Sequence, residues 1–120
     1  MYDLRHPSWY DANDEERVEA AAKMLLNFSN PPEVVICFSD WIAYGVLRCL
    51  RARGKSFGLV GMLGLDLAAR EEISTLAVSS DRLGRQGFAL LKEMAEHAAP
   101  GRIERISLSL VERETFRFPA

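Results

Sequence analysis

Short continuous runs of apolar residues recur along the chain and predict the strands of a sheet. A run without polar interruption is typical of a strand covered on both faces, as in a parallel sheet. The last run differs, because Ile106, Leu108 and Leu110 alternate with serines, as in a strand with one wet face. The predicted strands are residues 34–38, 59–65, 73–78 and 106–110.

Between these runs the apolar positions fall at helical spacing and predict three helices, the second of them over residues 40–53. Small polar residues mark their starts, and proline or glycine marks their ends. The predicted caps are Asp11 or Asn13, Ser39-Asp40, and Ser80 or Asp81; the predicted stops are Asn30-Pro31-Pro32, Gly54 and Ala99-Pro100-Gly101. The order α-β-α-β-β-α-β predicts an α/β fold with three layers, in which helices cover a parallel sheet.

The helix over residues 40–53 carries two faces. A surface helix normally needs one apolar stripe, which here consists of Ile42, Val46 and Leu50, with Ala43 and Leu47 beside it. A neighbouring face carries Trp41, Tyr44, Arg48 and Arg51. Aromatic residues beside arginine fit a contact between subunits or lobes; the alternative is that both aromatics only widen the core contact.

The composition is that of a soluble globular domain. The chain has 120 residues, of which 48% are hydrophobic, and a formal net charge of −2. Because affinity for DNA comes mainly from neutralised phosphates, an acidic chain is not expected to bind DNA by itself. Cys37 and Cys49 lie in apolar runs, as buried thiols of a reducing compartment do. Residues 1–9 do not resemble a signal peptide, so we expect a cytoplasmic protein without membrane contact.

No residue pattern favours catalysis, a cofactor or a metal, and we expect no enzyme. Residues 54–56 (Gly-Lys-Ser) match the end of a phosphate-binding loop, but the loop needs a glycine where this chain has Cys49. The glycines within residues 58–64 have the spacing GxxGxxG, which is not the dinucleotide fingerprint and favours close packing. His6 and His97 have no metal ligand at suitable spacing.

Polar residues follow two of the predicted strands. In open α/β sheets ligands bind beyond the carboxyl ends of strands, and these ends carry Ser39-Asp40 and Asp66. A carboxylate that accepts hydrogen bonds from hydroxyls suits a small polar ligand. A plain helix cap is the stronger interpretation of Asp40, whereas Asp66 fits both roles equally well.

Five short motifs occur in one order over nearly the whole chain. Residues 35–48 contain a strand that ends in Ser-Asp, followed by a helix with Ala-x-Gly. Leu-Gly-Leu-Asp stands at residues 63–66, Ile-Ser-Thr-Leu at 73–76, Leu-Gly at 83–84 and Leu-Val-Glu-Arg-Glu-Thr at 110–115. In this order they resemble the motifs of the LacI/GalR family of transcription regulators.

The resemblance implies a periplasmic-binding-protein-like type I fold of two lobes, with a small effector in the cleft between them. Residues 1–120 would be the C-terminal part of this ligand-sensing and dimerisation domain, a partial lobe without a DNA-binding domain. A repressor of this kind would contact operator DNA only through a headpiece outside the chain. The effector would be a sugar or a similar polar ligand.

The resemblance also implies site residues. Ser39 replaces an asparagine that contacts the ligand, Asp66 matches an aspartate that does so, and Trp9 matches an aromatic residue that borders the pocket. The implied homodimer interface lies on the second helix and comprises Trp41, Tyr44, Leu47, Arg48 and Arg51. Leu67 stands where similar proteins have a second acid, and Ser80 where some have an aromatic over the effector, so the effector class stays open.

In similar proteins the segment after Val78 crosses to the other lobe and returns. Without that lobe, strand edges and an apolar sheet face would be uncovered. We therefore expect a dimer, with exchange of residues 80–120 between chains as one route. The second hypothesis is a fragment of a sugar- or solute-binding protein of an ABC transporter, which has the same core; a receiver domain and a Rossmann-like enzyme fit less well.

Overall fold

The computed structural model describes residues 15–98 and 100–119, in which helices and strands alternate. The helices are α1 (Glu15–Asn27), α2 (Asp40–Ala52), α3 (Asp66–Arg70) and α4 (Ser80–His97). The strands are β1 (Val34–Ile36), β2 (Gly58–Leu63), β3 (Ser74–Ala77) and β4 (Ser109–Val111). The predicted caps Asp11 and Asn13, and Trp9, lie outside the described residues.

The described strands form one sheet in the order β1-β2-β3-β4. The first three strands run parallel, with Ile36 opposite Val60 and Met62 opposite Leu76. β4 runs antiparallel to β3. The predicted α/β class is confirmed, and the reversed last strand makes the sheet mixed rather than wholly parallel.

All four strands differ from their predicted bounds: β1 ends two residues early, β3 is one residue shorter at each end, and the bounds of β2 and β4 have a visible cause. β2 stops at Leu63, because Leu63 and Gly64 have φ values of +102° and +76°, outside the extended region. β4 covers only Ser109–Val111 instead of residues 106–110, because its partner β3 ends at Ala77, opposite the first residue of β4. The link after β2, where the predicted order has no helix, contains the short helix α3.

Helix α2 lies at the centre of the molecule. It packs on β2, and α1 and α3 pack against α2 in turn. The core that results is apolar: Cys37, Ala43, Val46, Leu47, Leu50, Leu59, Ala68 and Ile73. The predicted apolar stripe of this helix is confirmed by the burial of Val46 and Leu50, at 2% and 1% exposure.

The ends of α2 follow from local chemistry. The Ser39 side chain accepts a hydrogen bond from the backbone N–H of Ile42 at 3.2 Å, so Ser39 is the N-cap. At the other end Gly54 has φ +62°, and the N–H of Lys55 donates to the carbonyl of Leu50 at 3.0 Å. This is the glycine-terminated end that the sequence predicts. Residues 54–56 therefore end a helix and do not form a phosphate-binding loop.

The α4 arm (residues 80–108) leaves its apolar side uncovered. Its helix begins after Ser79, which caps it in place of the predicted Ser80 or Asp81. The helix buries none of its residues, and Phe88 is 71% exposed. The radius of gyration of the chain is 17.8 Å, against about 14 Å for a compact domain of this length.

The edge strand β1 has a similarly uncovered face. Its alternate residues Val34 and Ile36 are exposed, and Phe38, just after the strand, is 78% exposed. The prediction that this strand is covered on both faces is therefore wrong for the described residues. Among the described residues, the expected uncovered apolar sheet face is found at β1 alone, since Val60, opposite Ile36, is 4% exposed.

The closing motif fastens the chain end to the start of β3. The hydroxyl of Ser74 donates to the carbonyl of Phe116 at 2.7 Å and accepts from the N–H of Arg113 at 2.8 Å. The Arg113 guanidinium donates to the carbonyl of Ile73 at 2.8 Å. These bonds give the residues of the motif a structural role.

Candidate functional site

Two of the predicted ligand residues lie at the same edge of the sheet. Ser39 follows β1 and Asp66 follows β2, and the carboxyl ends of parallel strands meet at one edge. Ser39 is half-buried and uses one hydroxyl lone pair for the α2 cap. Asp66 is exposed in the first turn of α3. This edge of the sheet therefore carries a hydroxyl and a solvent-exposed carboxylate, which can form hydrogen bonds with a polar ligand.

Asp40 has a different role from its neighbour Ser39. The side chain is 0% exposed. Its Oδ2 accepts from the backbone N–H of Leu65 at 2.7 Å, and its Oδ1 accepts from the hydroxyl of Thr75 at 2.6 Å. The interpretation of Asp40 as a helix cap is wrong, because Ser39 is the cap and Asp40 bonds to two other segments.

Glycines in β2 and directly after it lie where a side chain would overlap neighbouring atoms. A Cβ added at Gly61 would overlap Oδ1 of Asp40 and approach its Cα to 3.1 Å. A Cβ added at Gly64 would lie 2.7 Å from the Cβ of Ala77, and one at Gly58 would lie 2.9 Å from the Glu33 carbonyl oxygen. The close-packing interpretation of the GxxGxxG spacing is confirmed.

The exposed face of α2 forms the second candidate surface. Trp41 is 43% exposed, Tyr44 is half-buried, and the guanidinium of Arg48 lies 5.8 Å from the centre of the Tyr44 ring. Arg51 is exposed on the same helix. Leu47 belongs instead to the core, at 9% exposure. Four of the five predicted interface residues therefore share one accessible face.

A groove of about 510 Å³ runs between α1 and this face of α2. Its lining includes Trp41, Tyr44, Arg48, Arg51, Val18, Glu19, Gly45, Cys49, Ala52 and Arg53. At its floor the two helices approach closely, since a Cβ on Gly45 would lie 2.7 Å from a methyl carbon of Val18. The groove is thus part of the predicted interface face, on a different surface from the strand ends.

Charged pairs border the groove. Glu19 accepts from Lys23 at 3.0 Å and from Arg53 at 3.1 Å. The hydrogen bond and charge of Lys23, and then those of Arg53, lower the pKa of Glu19. The carboxylate is exposed, so the pairs orient side chains more than they stabilise the fold.

Neither a metal-ligand cluster nor a disulfide is present in the described part of the chain. Within it, no three histidine, cysteine or carboxylate side chains are grouped as metal ligands would be. Cys37 and Cys49 are free thiols, and burial raises the pKa of Cys37 to about 11.

No helix among the residues 15–98 and 100–119 is long and apolar enough to cross a membrane.

Sequence reasoning missed the role of Thr75, which lies within β3 opposite Gly61 and contacts the segment that follows β1. Thr75 is fully buried and joins β3 to Asp40. A signal was present, since a threonine in an apolar strand needs a hydrogen-bond partner. Its partner lies 35 positions away, and no local pattern connects the two.

Comparisons with known proteins place this geometry in a family. Residues 2–116 match the family described as periplasmic binding protein-like domain. The chain belongs to this family. No curated protein matches the chain in sequence.

Several solved structures similar to this periplasmic binding protein-like domain are described as transcription regulators. A protein from Bacillus cereus subsp. cytotoxis described as a transcriptional regulator LacI is 24% identical, with a TM-score of 0.74 over 86% of this chain and 39% of its own. A LacI family transcriptional regulator from Arthrobacter sp., in complex with lactose, is 27% identical, with a TM-score of 0.70 over 84% of this chain and 41% of its own. A CelR transcriptional regulator in complex with cellobiose is 22% identical, with a TM-score of 0.71 over 85% of this chain and 33% of its own.

The resemblance read from the five motifs is confirmed at the level of family and fold. The chain spans about two fifths of the length of the first two structures and a third of the third. It is therefore a partial domain relative to them, as the motifs imply.

Proposed function

We propose that the chain is the effector-sensing and dimerisation part of a LacI-type transcription regulator that binds a small polar ligand in a cleft between two lobes. The observation that carries the proposal is the exposed carboxylate of Asp66 at the end of β2, on the sheet edge where Ser39 follows β1. Support also comes from the similar regulator in complex with lactose. Trp9, outside the described residues, would border the same pocket.

The mechanism is a shift between two lobe orientations. Asp66 accepts hydrogen bonds from ligand hydroxyls, and Ser39 offers a hydroxyl beside them. The second lobe contacts the ligand from the opposite side of the cleft. Because the ligand binds the two orientations with different affinity, it shifts their equilibrium and changes the affinity for operator DNA. DNA is bound through a separate headpiece in the cytoplasm, and the chain catalyses no reaction.

The dimer is built on the exposed face of α2. Trp41, Tyr44, Arg48 and Arg51 supply aromatic and arginine side chains, which are enriched in protein interfaces. Leu47 supports that face from the core side. The α4 arm forms a second contact, in which its exposed apolar side is buried against the partner protomer. An exchange of residues 80–120 between the protomers would bury it in this way.

A solute-binding protein of an ABC transporter, the second hypothesis, would use the same core fold. The similar structures described above are regulators. We therefore favour the regulator.

A thermal-shift screen of sugars, nucleobases and amino acids tests the proposal. Lactose, ribose and cellobiose are the first compounds, because similar regulators bind them. The protein is a chain extended to both lobes, since half a cleft holds a ligand weakly. A compound that binds only the folded state stabilises it by RT ln(1 + L/Kd), where L is the free ligand concentration, and so raises Tm.

The best compound is then titrated into two variants by calorimetry. Asp66→Asn removes the carboxylate at the strand end and should weaken binding by about tenfold or more, since hydrogen bonds to charged groups are the strong ones. Glu72→Gln is the matched control, because Glu72 is exposed beyond the other end of α3. A screen without any shift, or unchanged binding by Asp66→Asn, contradicts the proposal.

A further inference from the structure

The segments after β1 and β2 are joined to the body of β3 by one network, which we call the Asp40 clamp and define as Asp40, Thr75 and the backbone N–H of Leu65. Asp40 Oδ1 accepts from the Thr75 hydroxyl at 2.6 Å, and Oδ2 accepts from Leu65 at 2.7 Å. Asp40 and Thr75 are both 0% exposed. A buried carboxylate is costly unless its oxygens are satisfied, so the geometry of this network is closely specified.

The clamp holds a strained turn. Leu63 has φ +102° and Gly64 has φ +76°. The left-handed region costs a leucine free energy because of its Cβ, whereas glycine adopts it freely. The N–H of Gly64 donates to Thr75 Oγ1 at 3.3 Å, and the next N–H, that of Leu65, reaches Asp40. The two residues after the strained position are thus bonded to the clamp.

The turn leads directly into the candidate site. Leu65 is the cap residue of α3 but makes no side-chain cap hydrogen bond, so its own side chain does not set the start of that helix. Asp66 is the first residue of α3. The position of the Leu65 backbone therefore determines the position of the Asp66 carboxylate.

We propose that Asp40 is a positioning residue: by holding the strained turn at Leu63 and Gly64, it determines where Asp66 is offered to a ligand. Its complete burial keeps Asp40 itself from touching the ligand. The consequence for ligand affinity rests on the proposed function, but the action of the clamp on the turn does not.

The test is a pair of substitutions made singly and together in the full chain. Asp40→Asn keeps the size of the side chain, but its amide nitrogen cannot accept, so one of the two donors loses its partner. Leu63→Gly removes the strain that the clamp opposes. Thr75→Val removes the bridging hydroxyl, and Thr75→Ser is its matched control.

Amide hydrogen exchange and backbone resonances, measured by NMR, are the readouts. In D40N, Leu65 keeps at most a neutral amide oxygen as its acceptor in place of the carboxylate, so its exchange should rise about tenfold, since hydrogen bonds to charged groups are the stronger ones. The resonances of Gly64 and Asp66 should move as the turn relaxes. In the L63G background the same D40N change should move them little, because the turn no longer needs to be held. T75V should move the same resonances, because the Gly64 N–H loses its acceptor and Asp40 loses one donor, whereas T75S should behave as the wild type.

Two results would overturn the proposal: unchanged exchange at Leu65 in D40N, or equally large resonance changes with and without L63G. Either would mean that Asp40 serves packing alone. If D40N does not fold, T75V decides instead: the proposal fails if the resonance changes of Gly64 and Asp66 in T75V are equally large with and without L63G.

Ligand affinity is measured separately, in the same variants extended to both lobes, with lactose as the probe. Affinity should fall in D40N and recover in D40N/L63G. If lactose and the screened compounds do not bind the wild type, the proposed function fails, while the exchange and resonance results still decide whether the clamp holds the turn.

Discussion

Thr115 and Leu59 exchange two hydrogen bonds across 56 positions of sequence. The Thr115 hydroxyl donates to the carbonyl of Leu59 at 2.6 Å, and the N–H of Leu59 donates to the carbonyl of Thr115 at 2.9 Å. The same hydroxyl accepts from the N–H of Ser74 at 2.9 Å. One threonine at the end of the closing motif therefore joins the chain end to both β2 and β3.

Thr115→Val should lower the free energy of unfolding by about 2 kcal/mol, because the Leu59 carbonyl and the Ser74 N–H both lose a partner in a partly buried place. Thr115→Ser keeps the hydroxyl and is the matched control. Urea titration followed by circular dichroism measures both. Equal stability of the two variants would mean that the hydroxyl does not fasten the chain end.

Gly61→Ala should destabilise the fold by about 2 kcal/mol, because the added Cβ overlaps the buried Asp40 carboxylate and lies 3.1 Å from the Asp40 Cα, so that side chain and backbone must both shift. Gly84→Ala is the control, since a Cβ there meets nothing within 4 Å. In a helix that change should be neutral or stabilising by about 0.5 kcal/mol. A harmless Gly61→Ala would contradict the packing described here for Asp40.

The central part of the fold could be predicted because its signals are local. The apolar run before Ser39 predicts β1, and Ser39 and Gly54 bound α2 by their own chemistry. Helix α3 has only five residues, too few for periodicity, and is held by burial of Leu67 and Ala68. No window of sequence could have predicted it.

The candidate site was predictable only in part. Asp40 and Ser39 are adjacent and both suit a cap, and the partners that separate their roles, Thr75 and Leu65, are distant in sequence. Leu47 and Arg48 are likewise adjacent on α2, yet one lies in the core and the other faces out. Such distinctions depend on tertiary packing, which a single sequence does not display.

Leu91→Glu should convert the proposed dimer to a monomer, because the α4 arm presents Leu91 on its uncovered apolar side. Lys92→Glu is the control: it adds the same acid about 100° around the helix and loses only an exposed pair with Glu96. Light scattering coupled to size-exclusion chromatography gives the mass. A well-folded monomeric wild type, or a dimeric L91E, would refute the proposal that a second protomer buries the apolar side of the α4 arm.

Stability should fall as pH rises from 9 towards 11, in part through Cys37. Burial raises the pKa of this thiol from 9.0 to about 11. Between these values the unfolded chain releases a proton that the folded chain keeps, which favours unfolding by up to about 1.4 kcal/mol per pH unit. Urea titrations at pH 8, 9 and 10 should therefore show a steeper decline for the wild type than for Cys37→Ala. If the free energy of unfolding declined equally with pH in the wild type and in Cys37→Ala, the Cys37 thiol would be excluded as a cause.

The most direct test of the account is a crystal structure of the chain, extended to both lobes, with the compound that gives the largest thermal shift. We expect ligand hydroxyls within hydrogen-bond distance of the Asp66 carboxylate, with the second lobe closing over them. A ligand bound elsewhere, with Asp66 in contact with solvent alone, would contradict the claim that this sheet edge is half of an effector pocket.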